Sequence, residues 1–255
     1  MLAIERQNRI LAMLSPSGAI TTIKVAKALG ISRETVRRDF EKLEADGHVS
    51  RKHGGAVLIS DNSRDLSLDR RQVANVEEKE TIARLTLDQI QPWETIFLDA
   101  SSTAFHLACL LPNLEITILT TGIKVATELA RRPSVKLVFI GGAVNHRSLS
   151  CEGSLTNHTL EQHYVQKAFL SCRGFHPELG FGESNVEQAA LKRKVMSVAG
   201  QTILLLDHSK FGVKSPYLFA RTGEIDMLIT DRKPAIGLRQ MLQKNNQKLI
   251  VPKDK

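Results

Sequence analysis

Two groups of residues in this chain carry side chains suited to contact with anions. The first lies in Ile31 to Phe40, ISRETVRRDF, where Arg33, Arg37 and Arg38 stand among the hydrogen-bonding Glu34 and Thr35, with Lys42 just beyond. Ser32 is placed to cap a helix after the turn residue Gly30, and Val36, Phe40 and Leu43 recur at helical spacing, so one stripe faces inward. At about 100° per residue, Glu34, Arg37, Arg38 and Glu41 project away from that stripe, with Thr35 and Lys42 on its flank. A short helix with such an exposed face fits a DNA major groove.

The second group is dispersed. Ser101, Ser102 and Thr103 follow the apolar run TIFL and open a helix, where hydroxyls and free backbone N–H groups suit a phosphate. Thr120-Thr121-Gly122 repeats the arrangement after the next run, and Gly141-Gly142 permits close backbone approach after VKLVFI. Lys210, in LLDHSKFG, comes just after TILLL, where a cation suits the same phosphate. None of these matches a Walker or dinucleotide fingerprint, and each alone is ordinary turn chemistry; together they suggest an anion site. No metal or cofactor is expected: His158 and His163 are five apart and share no helix face, HExxH is missing, and no Cys lies at ligand spacing from a His. Of the eight histidines, His53 suits a phosphate contact and His208 packing or hydrogen bonding.

The elements that must position these groups can be read in order. Ile10, Leu11 and Leu14 line one side of a first helix, ended by SPSG at Ser15 to Gly18. Thr21 or Thr22 caps a second, in which Ile23, Val25, Ala26 and Leu29 pack inward and Gly30 is the stop. After Gly47, HVSR and AVLI are joined by KHGG, as a hairpin requires, and Arg51, Lys52 and His53 lie on that wing. Up to Leu58 there are ten basic residues against six acidic ones, which places half of the chain's formal +8 in under a quarter of its length, an electrostatic footprint for nucleic acid.

Ser60 to Arg71 is polar, charged and aperiodic and reads as a linker. Beyond it TIFL, ITIL, VKLVFI, AFL, TILLL, DMLIT and KLIV alternate with helical segments, which argues for a mostly parallel α/β sheet with helices on both faces and ligands at the strand C-termini. The expected organisation is a small winged helix-turn-helix domain at 1–59, a linker at 60–72 and a larger, mostly parallel α/β domain at 73–255. With 255 residues, 42% hydrophobic, the chain is long enough for both. Three widely spaced cysteines argue against a disulfide framework and for a reducing compartment. No apolar run approaches the ~20 residues needed to span a bilayer and the N-terminus is charged early, so a cytoplasmic location without membrane partners is expected.

The stretch ISRETVRRDFEKLEADGHVSRKHGGAV resembles the N-terminal winged helix of the DeoR family of bacterial transcription regulators, through Thr35 to Asp39, Leu43, Gly47 and Arg51 to Ala56. Val76 to Asp231 resembles that family's C-terminal domain, itself similar to ribose-phosphate isomerases, through LDASST, the TTG position, Gly141-Gly142, KAFL, the Glu187 to Lys192 spacing and DHSKFG. The resemblance implies a sequence-specific repressor acting on a double-stranded DNA operator, as a homodimer or homotetramer, controlled by a phosphorylated sugar. It also implies effector contacts from Asp99, Ser101, Ser102, Thr103, Thr120, Thr121, Gly122, Gly141, Gly142, Glu187, Lys192 and Lys210.

The chain departs from the family pattern at Ser101, Thr121-Gly122 and Cys172-Arg173-Gly174. The third change bears on catalysis, because related isomerases place carboxylates in that loop for proton transfer. Here Ser171, Cys172 and Arg173 stand instead and Glu187 alone remains as a base, so no catalytic residue is assigned; a phosphosugar isomerase with a fused DNA-binding module is the alternative. Arg173 replaces a frequent aspartate; a guanidinium grips carboxylates in a two-bond fork, so Arg173 either meets the carboxylate of a phosphorylated sugar acid or points to solvent or pairs with Glu178 or Glu183.

Overall fold

A computed structural model describes residues 3–14, 19–45, 49–52, 54–58 and 67–253. The turn at Ser15 to Gly18, Gly47, His53 and the linker as far as Leu66 lie outside the described residues. The chain divides into two compact units, Met1–Leu66 and Ser67–Lys255.

The N-terminal unit runs α1 (Ala3–Leu14), β1 (Ala19–Thr21), α2 (Thr22–Leu29), α3 (Arg33–Ala45), β2 (Val49–Lys52) and β3 (Gly55–Leu58). Its core is Ile10 and Leu14 from α1, Val25 from α2, and Val36, Phe40 and Leu43 from α3, closed by Ile20, Val49 and Ala56. Thr21 caps α2 by accepting from the Lys24 N–H, and Gly30 ends that helix in the left-handed region at φ 65°, a conformation that costs glycine nothing. Ile23 does not pack inward as its hydrophobicity suggests: it is 57% exposed, because Thr22 occupies the stripe shared with Val25 and Ile23 lies about 200° around the helix from Val25. The hairpin β2–β3 forms, and β1 adds to it to give the order β1-β3-β2. Gly55 is required there, since a Cβ at that position would come within 2.3 Å of the Ile20 carbonyl oxygen.

The larger unit opens with α4 (Leu68–Val73), inside the stretch read as linker, and α5 (Val76–Leu87). There follow β4 (Thr95–Leu98), α6 (Ser102–Leu110), β5 (Ile116–Thr120), α7 (Ile123–Leu129), β6 (Val135–Phe139), the hairpin β7 (Ala143–Asn145) and β8 (Ser150–Glu152), α8 (Ser154–Glu161) and β9 (Val165–Leu170). The chain continues through β10 (Gly174–His176), β11 (Gly180–Glu183), α9 (Val186–Ser197), β12 (Ala199–Leu206), β13 (Tyr217–Ala220), β14 (Met227–Thr230), α10 (Ile236–Lys244) and β15 (Lys248–Ile250). All seven apolar runs become strands of one sheet, β15-β14-β12-β9-β4-β5-β6, and every pairing in it is parallel. Alternation along β4 divides the core: Ile96 and Leu98 pack with Ile82, Leu107 and Leu129 of α5, α6 and α7, whereas Phe97 faces Leu160, Leu191 and Leu242 of α8, α9 and α10. A small antiparallel sheet, β10-β11-β13, stands apart and stacks Phe175 on Phe181 at 4.5 Å between ring centroids.

The strand order carries a functional consequence. From β4 the chain proceeds through β5 to β6 on one side, then returns to build β9, β12, β14 and β15 on the other. The direction reverses between β4 and β9, and a crevice outside the strand C-termini at such a reversal is where open α/β sheets bind ligands.

Candidate functional sites

In α3 the Ser32 hydroxyl accepts from the Thr35 N–H at 3.1 Å and also lies 2.9 Å from the Thr35 hydroxyl, so Thr35 is engaged in the cap. Arg37 and Arg38 extend from the exposed face, 68% and 77% accessible, with Glu34 between them at 3.7 and 3.8 Å. Arg33 and Lys42 share that exposure. Asp39 belongs to the same motif yet turns inward and takes a forked pair from Arg6, Nε at 2.5 Å and Nη2 at 2.9 Å, which ties α1 beneath α3. Asp39→Asn is therefore expected to destabilise the N-terminal unit by about 1.5–3 kcal/mol, the range for a hydrogen bond to a charged group. Urea unfolding checks this, and a cost below about 0.5 kcal/mol, the level of an ordinary surface change, would remove Asp39 from the scaffold.

The wing is less free than its composition suggests. The Arg51 guanidinium pairs with Glu41 at 2.7 Å, and its backbone N–H donates to Glu44 at 2.8 Å, so this residue fastens the wing to α3. Lys52 is exposed, and His53 lies outside the described residues.

At the sheet reversal, Asp99 ends β4 and Ser171 follows β9. Asp99 is buried, and its carboxylate accepts from the Ser101 N–H at 2.9 Å and the Ser171 N–H at 2.8 Å, which joins the two loops. Lys192, reaching in from α9 and 6% exposed, donates to the Ser171 carbonyl at 2.5 Å and Glu183 at 2.6 Å and lies 3.1 Å from Asp99. Two hydrogen bonds and an ion pair thus converge on one ammonium, so Lys192 holds the wall of the crevice. Burial alone would raise the Asp99 pKa, but Lys192 and the two N–H groups outweigh it and hold the carboxyl below its usual range. Burial likewise disfavours the Lys192 charge, yet Glu183 and Asp99 prevail and raise its pKa. The spacing of Glu187 from Lys192 does not place both in the crevice: Glu187 is exposed on the first turn of α9. Glu183, and not Glu187, joins Asp99 in facing Lys192.

The Ser101 hydroxyl caps α6 by accepting from the Ala104 N–H at 3.0 Å. The N–H groups of Ser102 and Thr103, at the positive end of the helix, have no partner among the described residues, and both residues are buried. On the neighbouring loop, Thr120 accepts from the Gly122 N–H at 3.0 Å, and a Cβ on Gly122 would meet Ala100 at 2.9 Å, so the two loops close together. Thr121 is 1% exposed and its hydroxyl has no hydrogen-bond partner among the described residues. A helix N-terminus at a sheet reversal suits an anion.

Gly141 and Gly142 meet a helix of the same unit. They follow the edge strand β6, Gly141 accepts from the Thr156 hydroxyl at 2.9 Å, and a Cβ on Gly142 would lie 2.0 Å from the same hydroxyl oxygen, so the pair admits α8. Lys210 is half-buried in the turn His208–Lys210 after β12, one strand beyond β9. Arg173 is half-buried, and its backbone N–H bonds the Gly182 carbonyl at 2.9 Å. The neighbouring Cys172 thiol is buried and pushed up to about 12, first by burial and then by Glu183.

Glu78, His208 and Asp231 bring ligand atoms within 4.8 Å of one another, but Arg232 already supplies a cation, 3.0 Å from Asp231 and 3.7 Å from Glu78, and His208 is hydrogen-bonded to Asp231 at 2.9 Å. A nearby cavity of about 570 Å³ is walled mainly by apolar groups such as Phe175, Phe211, Leu238 and Met241, with this paired Arg232 on its lining.

Comparison with known proteins agrees with this division. Residues 6–62 match the DeoR-like helix-turn-helix domain and residues 74–232 the DeoR C terminal sensor domain. The uncharacterized HTH-type transcriptional regulator YulB of Bacillus subtilis (strain 168) is 37% identical over 231 residues, 91% of this chain and 90% of its own. The HTH-type transcriptional repressor GlcR of the same organism is 34% identical over 247 residues, 97% and 95% of the two chains. Among solved structures, ribose 5-phosphate isomerase a from Methanocaldococcus jannaschii is similar at 16% identity and a TM-score of 0.41, covering 54% of this chain and 55% of that one.

Proposed function

Because the chain belongs to the DeoR family of DNA-binding transcriptional regulators and carries that family's sensor domain, we propose that it is a repressor whose operator binding is controlled by a phosphorylated sugar or sugar acid. The family is one of regulators, which sets aside the isomerase alternative. The site chemistry agrees, since Asp99 is held ionised with its oxygens already accepting hydrogen bonds, an arrangement that makes a poor general base.

In this reading the effector phosphate rests on the Ser102 and Thr103 N–H groups, with Thr121 and Lys210 completing the cradle and Arg173 meeting a carboxylate where the effector has one. The observation that carries the reading is the N-terminus of α6, with Ser102 and Thr103 buried in its first turn at the sheet reversal and the buried Thr121 on the adjoining loop, where Gly122 closes on Ala100. The choice of repressor rests on the similarity to the transcriptional repressor GlcR. Arg37 and Arg38 read base edges, Arg33 and Lys42 contact phosphates nearby, and Lys52 meets the DNA backbone from the wing.

Lys210→Ala tests the effector half. The variant is expected to lose the thermal shift that a phosphorylated sugar gives the wild type, while its operator affinity stays within about twofold, because ligand stabilisation follows binding to the native state alone. A variant that keeps the full shift would remove Lys210 from the cradle. Comparing 6-phosphogluconate with a neutral sugar phosphate, on wild type and on Arg173→Ala, tests the carboxylate assignment: a preference for the acid that survives the substitution would refute it.

A further inference from the structure

The first element of the sensor unit, α4, has too little packing to hold itself in place. It is six residues long, Leu68 is its buried apolar anchor and Val73 is 78% exposed, and a helix of that length is not stable alone. Beside its packing on α6, it is held by polar ties to the β7–β8 hairpin, the first turn of α7 and the turn after β12. The Leu68 N–H donates to the Arg147 carbonyl in the β7–β8 hairpin at 2.7 Å. The Lys124 ammonium, two residues beyond Gly122, bonds Asp69 at 2.5 Å and Gln72 at 2.6 Å. Asn75, which ends the segment in the left-handed region at φ 50°, donates to Asp207 and to the Ser209 hydroxyl, each at 3.2 Å, next to Lys210. The hairpin itself is stitched to the threonine loop, since the Cys151 N–H donates to the Thr121 carbonyl and the Ile123 N–H to the Leu149 carbonyl, each at 2.9 Å. These ties end on a loop of the proposed effector cradle, on the first turn of the helix that leaves one, or on a hairpin bonded to one.

We propose that α4 is a coupling strap: its docking follows the state of the Thr121 and Lys210 loops, and Lys124 and Asn75 are the positioning residues that transmit occupancy to the chain leading to the winged helix. The inference rests on the effector reading above for what moves the loops, and on the contacts of α4 for how the movement leaves the sensor.

Two features fit a docking that can be made and released. Beneath the strap, His106 of α6 interacts with the Gln72 backbone, while the buried Nε2 atoms of Gln72 and His106 have no hydrogen-bond partner among the described residues. At its C-terminal end, the buried Lys79 ammonium donates to the Arg71 and Ala74 carbonyls. Burial lowers its pKa to about 8; Asp207 acts in the opposite direction and Lys210 adds to the lowering. A phosphate arriving at Lys210 is therefore felt by the group that holds the end of the strap.

The test uses the full chain with Lys124→Ala, Asn75→Ala and the conservative Lys124→Arg, and a duplex selected from random DNA by the wild type. Without ligand, both alanine variants are expected to speed hydrogen exchange of amides 70–74 by about tenfold or more while the β-sheet amides keep their protection. They should also shift affinity for the selected duplex by about fivefold or more, the lower end of ordinary coupling, and Lys124→Arg should restore both readings. Released α4 amides with unchanged duplex affinity, or unchanged exchange in both alanine variants, would overturn the strap.

With ribose 5-phosphate and 6-phosphogluconate as probes, a compound that raises the wild-type melting temperature should raise that of the alanine variants too, but change their duplex affinity by less than about twofold. Retention of the full wild-type change would also overturn the strap. If neither probe moves the wild type, the effector reading loses support for these compounds, and the ligand-free measurements still decide for or against the strap.

Discussion

Lys192→Met is expected to lower the unfolding free energy of the sensor unit by about 3–5 kcal/mol, the cost of removing one partner from a buried ion cluster. The methionine stem refills most of the volume, so the loss isolates the charge. Asp99 and Glu183 then face each other across the crevice wall without the ammonium that lies 3.1 and 2.6 Å from them, and the Ser171 carbonyl loses its donor.

The pH dependence follows from the two shifts. Asp99 has a folded pKa below its unfolded value, so its contribution is present above about pH 4 and is lost as pH falls through the folded value. Lys192 is shifted upward, so its contribution is complete below about pH 10.4 and is lost as pH rises through its folded value. In Lys192→Met, burial acts on Asp99 without the opposing charge, and the acid limb of stability moves to higher pH. Urea unfolding across pH measures both effects. A loss under about 1 kcal/mol, typical of an exposed pair, or an unmoved acid limb would show that the cluster does not hold the crevice.

The double variant Arg37→Ala/Arg38→Ala should cost about 2–6 kcal/mol on a selected operator, taking about 1–3 kcal/mol for each base-reading arginine and approximate additivity. Both side chains are mostly exposed, and their contacts to Glu34 are long, so they contribute little to the fold and are available to DNA. Random DNA should lose much less, since the phosphate contacts proposed for Arg33, Lys42 and Lys52 remain. Each single variant should relax preference at its own base position, whereas Lys52→Ala should weaken all sequences together and reduce the salt slope by about one. Equal losses on selected and random DNA would take both arginines off the bases.

The parallel sheet was legible in the sequence because its strands are buried on both faces, and TIFL, ITIL or TILLL can therefore be almost continuously apolar. The short strands β1, β7 and β8 and the β10-β11-β13 sheet carry no such run, and α4 was hidden in a stretch whose polarity looked like a linker. The loops of the cradle were visible for the same reason as the strands, since hydroxyls and glycines directly after an apolar run mark its end. What each side chain does there was not visible. Lys192 bonds a carbonyl 21 positions away, Asp99 an amide 72 positions away and Arg6 a carboxylate 33 positions away, and nothing in local spacing reports such pairings. The sequence does not show that the carboxylates of α3 lie beside Arg51, or that Gly142 packs against Thr156 of α8.

The most direct test of the whole account is the affinity of the full-length protein for a selected duplex and for a scrambled duplex of the same composition, each with and without phosphorylated sugars and sugar acids. The account predicts binding to the selected duplex about a thousandfold or more tighter than to the scrambled one at moderate salt. It also predicts that at least one compound of this class weakens the selected complex by about 5–150-fold, while its unphosphorylated counterpart does nothing. Equal affinity for the two duplexes, or operator binding indifferent to every compound of the class, would contradict it.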